Sequence, residues 1–293
     1  MFDYIKIDFS EDAQTGFKRI ISRIIPRSIK QWIIYTEKRI KVDIDYIGEF
    51  SGGIFRMPFI LEDMPQVTEK TFKKLINYIY KSVDAGKCGI SMNPEMKMYF
   101  DIIYKDYRKE FYVCIIDELI RRIVEDKKLI KAETAITIID GEEKEEDTRK
   151  VLVTLGEEYN HIQLITKRVD MYEHELEDLY VNRGLIVMVN PTDNKTAREQ
   201  MDRNISINLD RKNYNNFLMA KEGEVIFDLT GNKKDIARIR NMNRKIFVYE
   251  DGIFKSLKMV VDVDLLSQMY IKGNFCRNSD IFSTYFIELE GFL

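Results

Sequence analysis

Along the second half of the chain, short continuous apolar runs alternate with stretches whose apolar residues recur every three to four positions. Runs of this kind, four to six residues long and bounded by polar turns, predict strands buried on both faces, and the helical spacing predicts the crossovers between them. Strands are expected at 135–140, 162–166, 185–189, 205–209, 225–229 and 246–249. Helices are expected at 169–183, closed by Gly184, and at 233–242; a short polar crossover covers 192–201, and a weak helical turn surrounds Phe217-Leu218-Met219. One segment decides the architecture. Val151-Leu152-Val153-Thr154-Leu155 has strand propensity, but a strand there leaves only five residues before the next one and forces an antiparallel hairpin. A helix starting near Glu143 instead puts Val151, Leu152, Leu155 and Tyr159 on one face, with Asp147 and Arg149 on the outer side and Lys144 and Thr148 on an exposed face. It also places Glu142 to Glu146 at the positive helix end. The helix makes 135–140 and 162–166 the two strands of a βαβ unit.

The first part of the chain is more mixed. A strand is expected at 4–9, a helix at 11–25 stopped by Pro26, and strands at 32–35 and 40–44. Gly52-Gly53 predicts a turn between two short extended pieces, with nothing of the Walker pattern following it. Thr68 suits a helix N-cap, and Phe72, Leu75, Ile76, Ile79 and Tyr80 form an apolar face up to Ala85-Gly86. Cys88, between Lys87 and Gly89, has two readings: a small residue in a helix-to-strand turn, or an activated thiol with no histidine nearby in sequence. A long helical region is expected over 95–128, with Cys114 inside its apolar pattern and the tyrosines of 99–112 as half-buried packing rather than an RNA-stacking surface. Val263, Leu266, Met269 and Tyr270 predict another helix, followed by a loop holding Cys276 and an apolar close at 281–289. The expected fold class is α/β: a doubly wound, mostly parallel Rossmann-like sheet with an N-terminal α+β domain. Three parts follow: 1–131 as the α+β domain ending in a long helix, 132–261 as the Rossmann-like domain, and 262–293 as a helical tail packing back on the first.

Composition narrows the function classes. The 293 residues carry a net charge of -3, with 45% hydrophobic and 32% charged residues, which gives no global attraction to nucleic acid or an anionic membrane. Three widely spaced cysteines and two histidines suggest neither a disulfide framework nor a zinc site. Glu142 and Glu143 beside Asp140 offer hard oxygen ligands, but consecutive glutamates at a helix start are read as a solvated, dipole-matched cap, so no metal is expected. The N-terminal residues lack the pattern of a signal peptide, and no uncharged apolar run reaches the ~20 residues that span a bilayer. A cytoplasmic protein without a membrane or nucleic-acid partner is expected.

In a doubly wound sheet the ligand crevice lies beyond the carboxyl ends of the strands, where strand order reverses. The strand-end residues there are Asp140-Gly141, Thr166-Lys167-Arg168, Asn190-Pro191, Asn208 to Asp210 and Asp228 to Gly231. Ile136-Thr137-Ile138-Ile139-Asp140-Gly141, an apolar strand running into a glycine, and Leu164-Ile165-Thr166-Lys167-Arg168, a second strand with a basic end, carry a resemblance. Together with the layout of an N-terminal domain, a long helix and a Rossmann sheet, and a fainter echo in Gly53 to Phe59, the chain resembles the NAD(P)-dependent group of shikimate dehydrogenase, glutamyl-tRNA reductase and the acyl-carrier-protein reductases. The resemblance implies a dinucleotide held by Asp140, Gly141, Thr166, Lys167 and Arg168, with Lys167 or Arg168 on an NADP 2′-phosphate and Asn208 and Thr230 on the nicotinamide side. The sequence departs from that group at the phosphate loop: after Gly141 come Glu142, Glu143, Lys144, Glu145, Glu146 and Asp147. Each of these carboxylates opposes a pyrophosphate by on the order of 1 kcal/mol even when partly screened. No catalytic pair of that group can be placed on this chain. Two functions follow. One is a Rossmann-like protein with a degenerate phosphate loop, without a dinucleotide, acting as a non-classical ligand-binding or regulatory and interaction protein, with a protein partner or as a homo-oligomer. The other is a divergent NAD(P)-dependent oxidoreductase using NADP and an interdomain crevice for its small-molecule ligand.

Overall fold

The structure is a computed structural model that describes residues 3–8, 40–58, 65, 67–83, 88–92, 106–141, 144–190, 204–210, 222–230, 246–249, 251–272 and 287–292. The elements expected at 11–25, 32–35, 192–201, 217–219 and 233–242, the start of the long helix and the loop with Cys276 lie outside these residues. The chain divides into two compact units, one of residues 1–108 with 254–288 and the other of 109–253 with 289–293. A three-stranded sheet, in the order β12-β11-β13, joins β11 (Gly252–Ser256), β12 (Met259–Val261) and β13 (Ile287–Phe292).

The second unit holds a six-stranded parallel sheet of β5 (Ala135–Ile139), β6 (His161–Ile165), β7 (Met188–Asn190), β8 (Ile205–Asn208), β9 (Val225–Asp228) and β10 (Phe247–Tyr249). Its order is β10-β9-β8-β5-β6-β7. Read from the other edge, the first three strands run outward one way from β5 and the last three the other way, which is the doubly wound Rossmann order with its switch point between β5 and β8. All five residues of β5 are buried, as a central strand covered on both faces requires.

The crossover after β5 is a helix, α4 (Glu145–Glu158), and not a hairpin strand. (Helices are numbered in chain order: α1 Glu69–Ser82, α2 Arg108–Cys114, α3 Ile116–Asp126, α5 Glu173–Arg183 and α6 Val263–Lys272.) Val151, Leu152 and Leu155 of α4 are fully buried, and Tyr159 follows them inward. The helix lies one step further round than its apolar spacing suggests. Thr148 and Asp147, expected on exposed and outer faces, are both buried, because each has a polar partner beneath the helix: Thr148 donates to Asp140 at 2.9 Å and Asp147 pairs with Lys109 at 3.1 Å.

Three other expectations shift. The region before β5 is two helices, α2 and α3, meeting at Ile115, where φ is -115° and ψ 23°; i to i-4 bonds from Ile115 and Leu119 carry the ladder across the break. Residues 169–172 form a single 3₁₀ turn ahead of α5, and Tyr180 on that helix is exposed. The apolar run at 185–189 is not a doubly covered strand. It ends in the three-residue β7 at the sheet edge, where Ile186 is 77% exposed and Met188 55%, since an edge strand of this length has a neighbour on one side only.

In the first unit, β1 (Tyr4–Asp8), β2 (Lys41–Ile47), β3 (Phe50–Arg56) and β4 (Gly89–Met92) form a sheet in the order β2-β3-β1-β4, parallel except for the β2–β3 pair. Gly52-Gly53 is not a turn: both residues lie inside β3, and the turn between β2 and β3 is Gly48-Glu49. A Cβ at Gly52 would sit 2.1 Å from the ring of Tyr4, so the missing side chain makes room for that ring. Thr68 caps α1 by accepting from the Thr71 amide at 3.3 Å, and Leu75, Ile76 and Ile79 pack onto Ile5, Ile7, Phe55 and Ile90. The helix stops at Ser82 with an extended Val83, ahead of the glycine expected to close it. Against β4 lies α6, whose buried Gln268 accepts from the Ile90 amide at 3.1 Å and donates to the Ile90 carbonyl at 3.0 Å. One side chain thereby stands in for the missing neighbour of an edge strand. Cys88, just before β4, is buried.

If α4 faces inward as described, Leu155→Ala should cost about 3 kcal/mol in urea unfolding, whereas Tyr180→Ser should stay within about 0.5 kcal/mol. The opposite ranking would mean that the crossover helices pack on other faces.

Candidate functional site

The carboxyl ends of β5 and β6 converge on one carboxylate. Asp140 follows the last residue of β5, is 4% exposed, and accepts from side chains on three later elements. The Thr148 hydroxyl in the first turns of α4 reaches Oδ1 at 2.9 Å, and the Tyr172 hydroxyl, in the 3₁₀ turn before α5, reaches the same oxygen at 2.6 Å. Thr166, one residue beyond β6, donates to Oδ2 at 2.6 Å. The Arg168 guanidinium spans both oxygens, with Nη2 at 3.0 Å from Oδ1 and 3.1 Å from Oδ2, and also donates to the Gly141 carbonyl at 3.2 Å. Each donor lies at or just past the end of a neighbouring strand or in the turn it enters, so the βαβ register sets the cluster.

These contacts decide the protonation states. Burial pushes the Asp140 carboxyl up, but the hydrogen bonds from Thr166, Tyr172, Arg168 and Thr148 together hold it below the usual carboxylate range. Burial, followed by the bond to Asp140, raises the Tyr172 phenol. For Arg168 burial acts downward, and the bond to Asp140 outweighs it and raises the guanidinium. Asp140 is therefore an anion and Arg168 a cation, with the phenol neutral and able to donate.

At the switch point the main chain itself is close-packed. The Leu209 amide donates to the Ile139 carbonyl at 3.0 Å, so β5 and β8 stay bonded to their ends. A Cβ at Gly141 would come 2.2 Å from the Leu209 carbonyl oxygen. In a dinucleotide fingerprint glycine lets the backbone approach a pyrophosphate at a helix N-terminus; here the space left by the missing side chain of Gly141 is taken by Leu209. The first turn of α4 carries Glu145, Glu146 and Asp147. The residues described at this position therefore do not fit a pyrophosphate.

On β8 and β9 the strand ends make a second, smaller cluster. Asn208, the partner of Ile139 across the ladder, donates to Asp228 at 2.6 Å, and the Thr230 hydroxyl donates to the same carboxylate at 2.8 Å. Asn208 also accepts from the Asp210 amide at 3.2 Å. Of the residues singled out from the sequence, Asp140, Gly141, Thr166 and Arg168 thus come together in one cluster and Asn208 and Thr230 in another. Lys167 is exposed beside the first. Tyr172 and Thr148 escaped the sequence reading, because a tyrosine and a threonine in an amphipathic pattern signal packing and solvent. No spacing marks either as a partner of Asp140: Thr148 lies inside α4, and Tyr172 follows β6, which does not end at an aspartate. Among the described residues no group of three His, Cys, Asp or Glu could hold a metal ion, and no helix is long and apolar enough to cross a membrane.

No protein-family model and no curated protein matches the chain. Among solved structures it is similar to shikimate 5-dehydrogenase from Listeria monocytogenes, solved with shikimate and NAD, at 9% identity and a TM-score of 0.36 over 76% of this chain and 80% of that one. A ligand-free 5-ketofructose reductase of Gluconobacter sp. strain CHM43 gives 9% identity and a TM-score of 0.35 over 97% of both chains. The Rossmann character of the second unit rests on its own strand order.

Because folding lowers the Asp140 pKa from an unfolded value of about 3.9, its contribution is complete at neutral pH. It declines as pH drops through that value and is gone below the folded pKa. Asp140→Asn should cost about 3 kcal/mol at pH 7 and flatten the acid limb of a stability-against-pH curve. An unchanged acid limb would show that the carboxylate is not held as an anion.

Proposed function

We propose that the second unit is a Rossmann-type module whose pyrophosphate position has been given over to an internal ion pair, and that the protein is a ligand-binding or regulatory protein rather than a hydride-transfer enzyme. The observation that carries this reading is the Asp140 cluster. The carboxylate holds the arginine and three hydroxyls that a phosphate at these strand ends would need. A phosphate would have to displace a buried anion from Arg168 and also face the acidic first turn of α4, and both steps oppose binding.

A second reading keeps the dinucleotide. The strand order is that of nucleotide-binding sheets, and Lys167 and Arg168 stand at the end of β6, where an adenosine 2′-phosphate is read in such sheets. On this reading the nucleotide is NADP, bound without the usual loop, with Asn208 and Thr230 toward the nicotinamide. The cofactor would supply the hydride, and the chain only its position.

Thermal shift and calorimetry with NADPH and NADH separate the two. The first reading expects no stabilisation by either nucleotide up to about millimolar concentration, where a ligand at 100 times its Kd would add about 2.7 kcal/mol. A clear shift with NADPH would overturn it in favour of the second, which further expects Lys167→Ala and Arg168→Ala to weaken NADPH more than NADH.

A further inference from the structure

The net charge of the chain averages over an uneven distribution. Helix α1 buries Leu75, Ile76 and Ile79 against the sheet of the first unit, and what it exposes is polar or aromatic. Lys70, Lys73, Lys74, Asn77, Tyr78 and Lys81 all face solvent, Tyr78 by 41%, and together with Glu69 they line one surface depression. The helix carries four lysines against one glutamate, on a chain whose net charge is -3. That glutamate, Glu69, is taken up by Lys73 at 2.5 Å. The arrangement works against the helix itself. Lys70 stands in the first turn, where the helix dipole disfavours a cation, and Lys70 and Lys74 are like charges at i and i+4, a spacing that destabilises a helix. An anion laid on this face removes both penalties.

The spacing sets these groups in a row. Lys70, Lys74, Asn77 and Lys81 follow one another along a single line of the helix surface and span about 16 Å at ~1.5 Å per residue. Tyr78 stands beside that line, one turn after Lys74 and one turn before Lys81, so an exposed ring lies between ammonium groups. The chemistry of the row selects its ligand. It holds no arginine, the side chain that grips one carboxylate or phosphate with a fixed fork. Lysines are point charges on flexible stems and suit a chain of phosphates whose positions vary. A ring among such charges offers a face on which any base can stack, and the Asn77 amide can both donate to and accept from a base edge.

We propose that the exposed face of α1 binds single-stranded nucleic acid, with its lysines on the phosphates of about three to five nucleotides and the Tyr78 ring stacked on a base. The expectation of no nucleic-acid partner rests on the net charge, which averages this face with acidic ones such as α5, where Glu173, Glu175, Glu177 and Asp178 stand against Arg183. An acidic remainder confines a polyanion to the basic face. A membrane surface would engage the same lysines, but an interfacial helix also needs apolar side chains beside them to enter the acyl boundary, and the exposed face of α1 offers only Tyr78. The proposal rests on the first unit alone and stands whichever result NADPH and NADH give.

Fluorescence anisotropy of a labelled DNA single strand of about 20 nucleotides, titrated with the full-length protein over a salt series, tests it. At about 50 mM salt the Kd should be micromolar, and log K should fall against log salt with a slope of about -2 to -3, as three or four phosphate contacts require. Lys70→Gln, Lys74→Gln and Lys81→Gln combined should weaken binding at least about 100-fold at that salt and flatten the slope by about 2. Tyr78→Ser should weaken binding about 10-fold with the slope unchanged, because stacking releases no counterions. The circular dichroism spectrum should not change in either variant, since all four side chains face solvent. Lys150→Gln, at an exposed lysine of α4, should alter neither affinity nor slope. No binding at about 100 μM protein, or an affinity untouched by the triple variant, would overturn the proposal. So would full-strength binding by Tyr78→Ser together with equal retention on phosphatidylserine vesicles, which would make α1 a contact for anionic surfaces in general.

Discussion

A carboxylate buried at the end of a central strand must either be neutralised or surrounded by donors, and the architecture of the second unit follows from how this is met at Asp140. An isolated ionised group there would cost several kcal/mol. Four side chains supply the remedy, and they come from the crossover helix α4, the end of β6 and the 3₁₀ turn that opens α5. To deliver the Thr148 hydroxyl, α4 must turn a polar residue inward. To deliver Tyr172, the chain after β6 must make a tight turn before it can become helical. The inward Thr148 and the 3₁₀ turn before α5 are therefore both tied to a single charge.

The same charge bears on what the strand ends can bind. A Rossmann sheet offers ligands the notch where its two halves part, with helix N-terminal amides and glycine backbone ready for an anion. Here the Leu209 amide bonds the Ile139 carbonyl at the end of the ladder and Gly141 packs against Leu209, while Asp140 holds the neighbouring cation. Strand order alone does not fix ligand chemistry, so function must be argued from the site and not from the fold.

The layered part of the fold was legible in the sequence because it depends on hydrophobic period alone. Five-residue apolar runs separated by amphipathic stretches leave little freedom, and the choice of a helix at Val151 to Leu155 followed from loop length. The parts that could not be read depend on partners far away in sequence. Thr148 and Asp147 are indistinguishable from surface residues until Asp140 and Lys109 are brought beneath them. Ile186 and Met188 belong to a run that reads as core, and only the sheet order makes them an edge. Asp140, Thr166 and Arg168 could be named as strand-end residues, but that they would bind one another rather than a ligand depends on side-chain geometry that no spacing encodes.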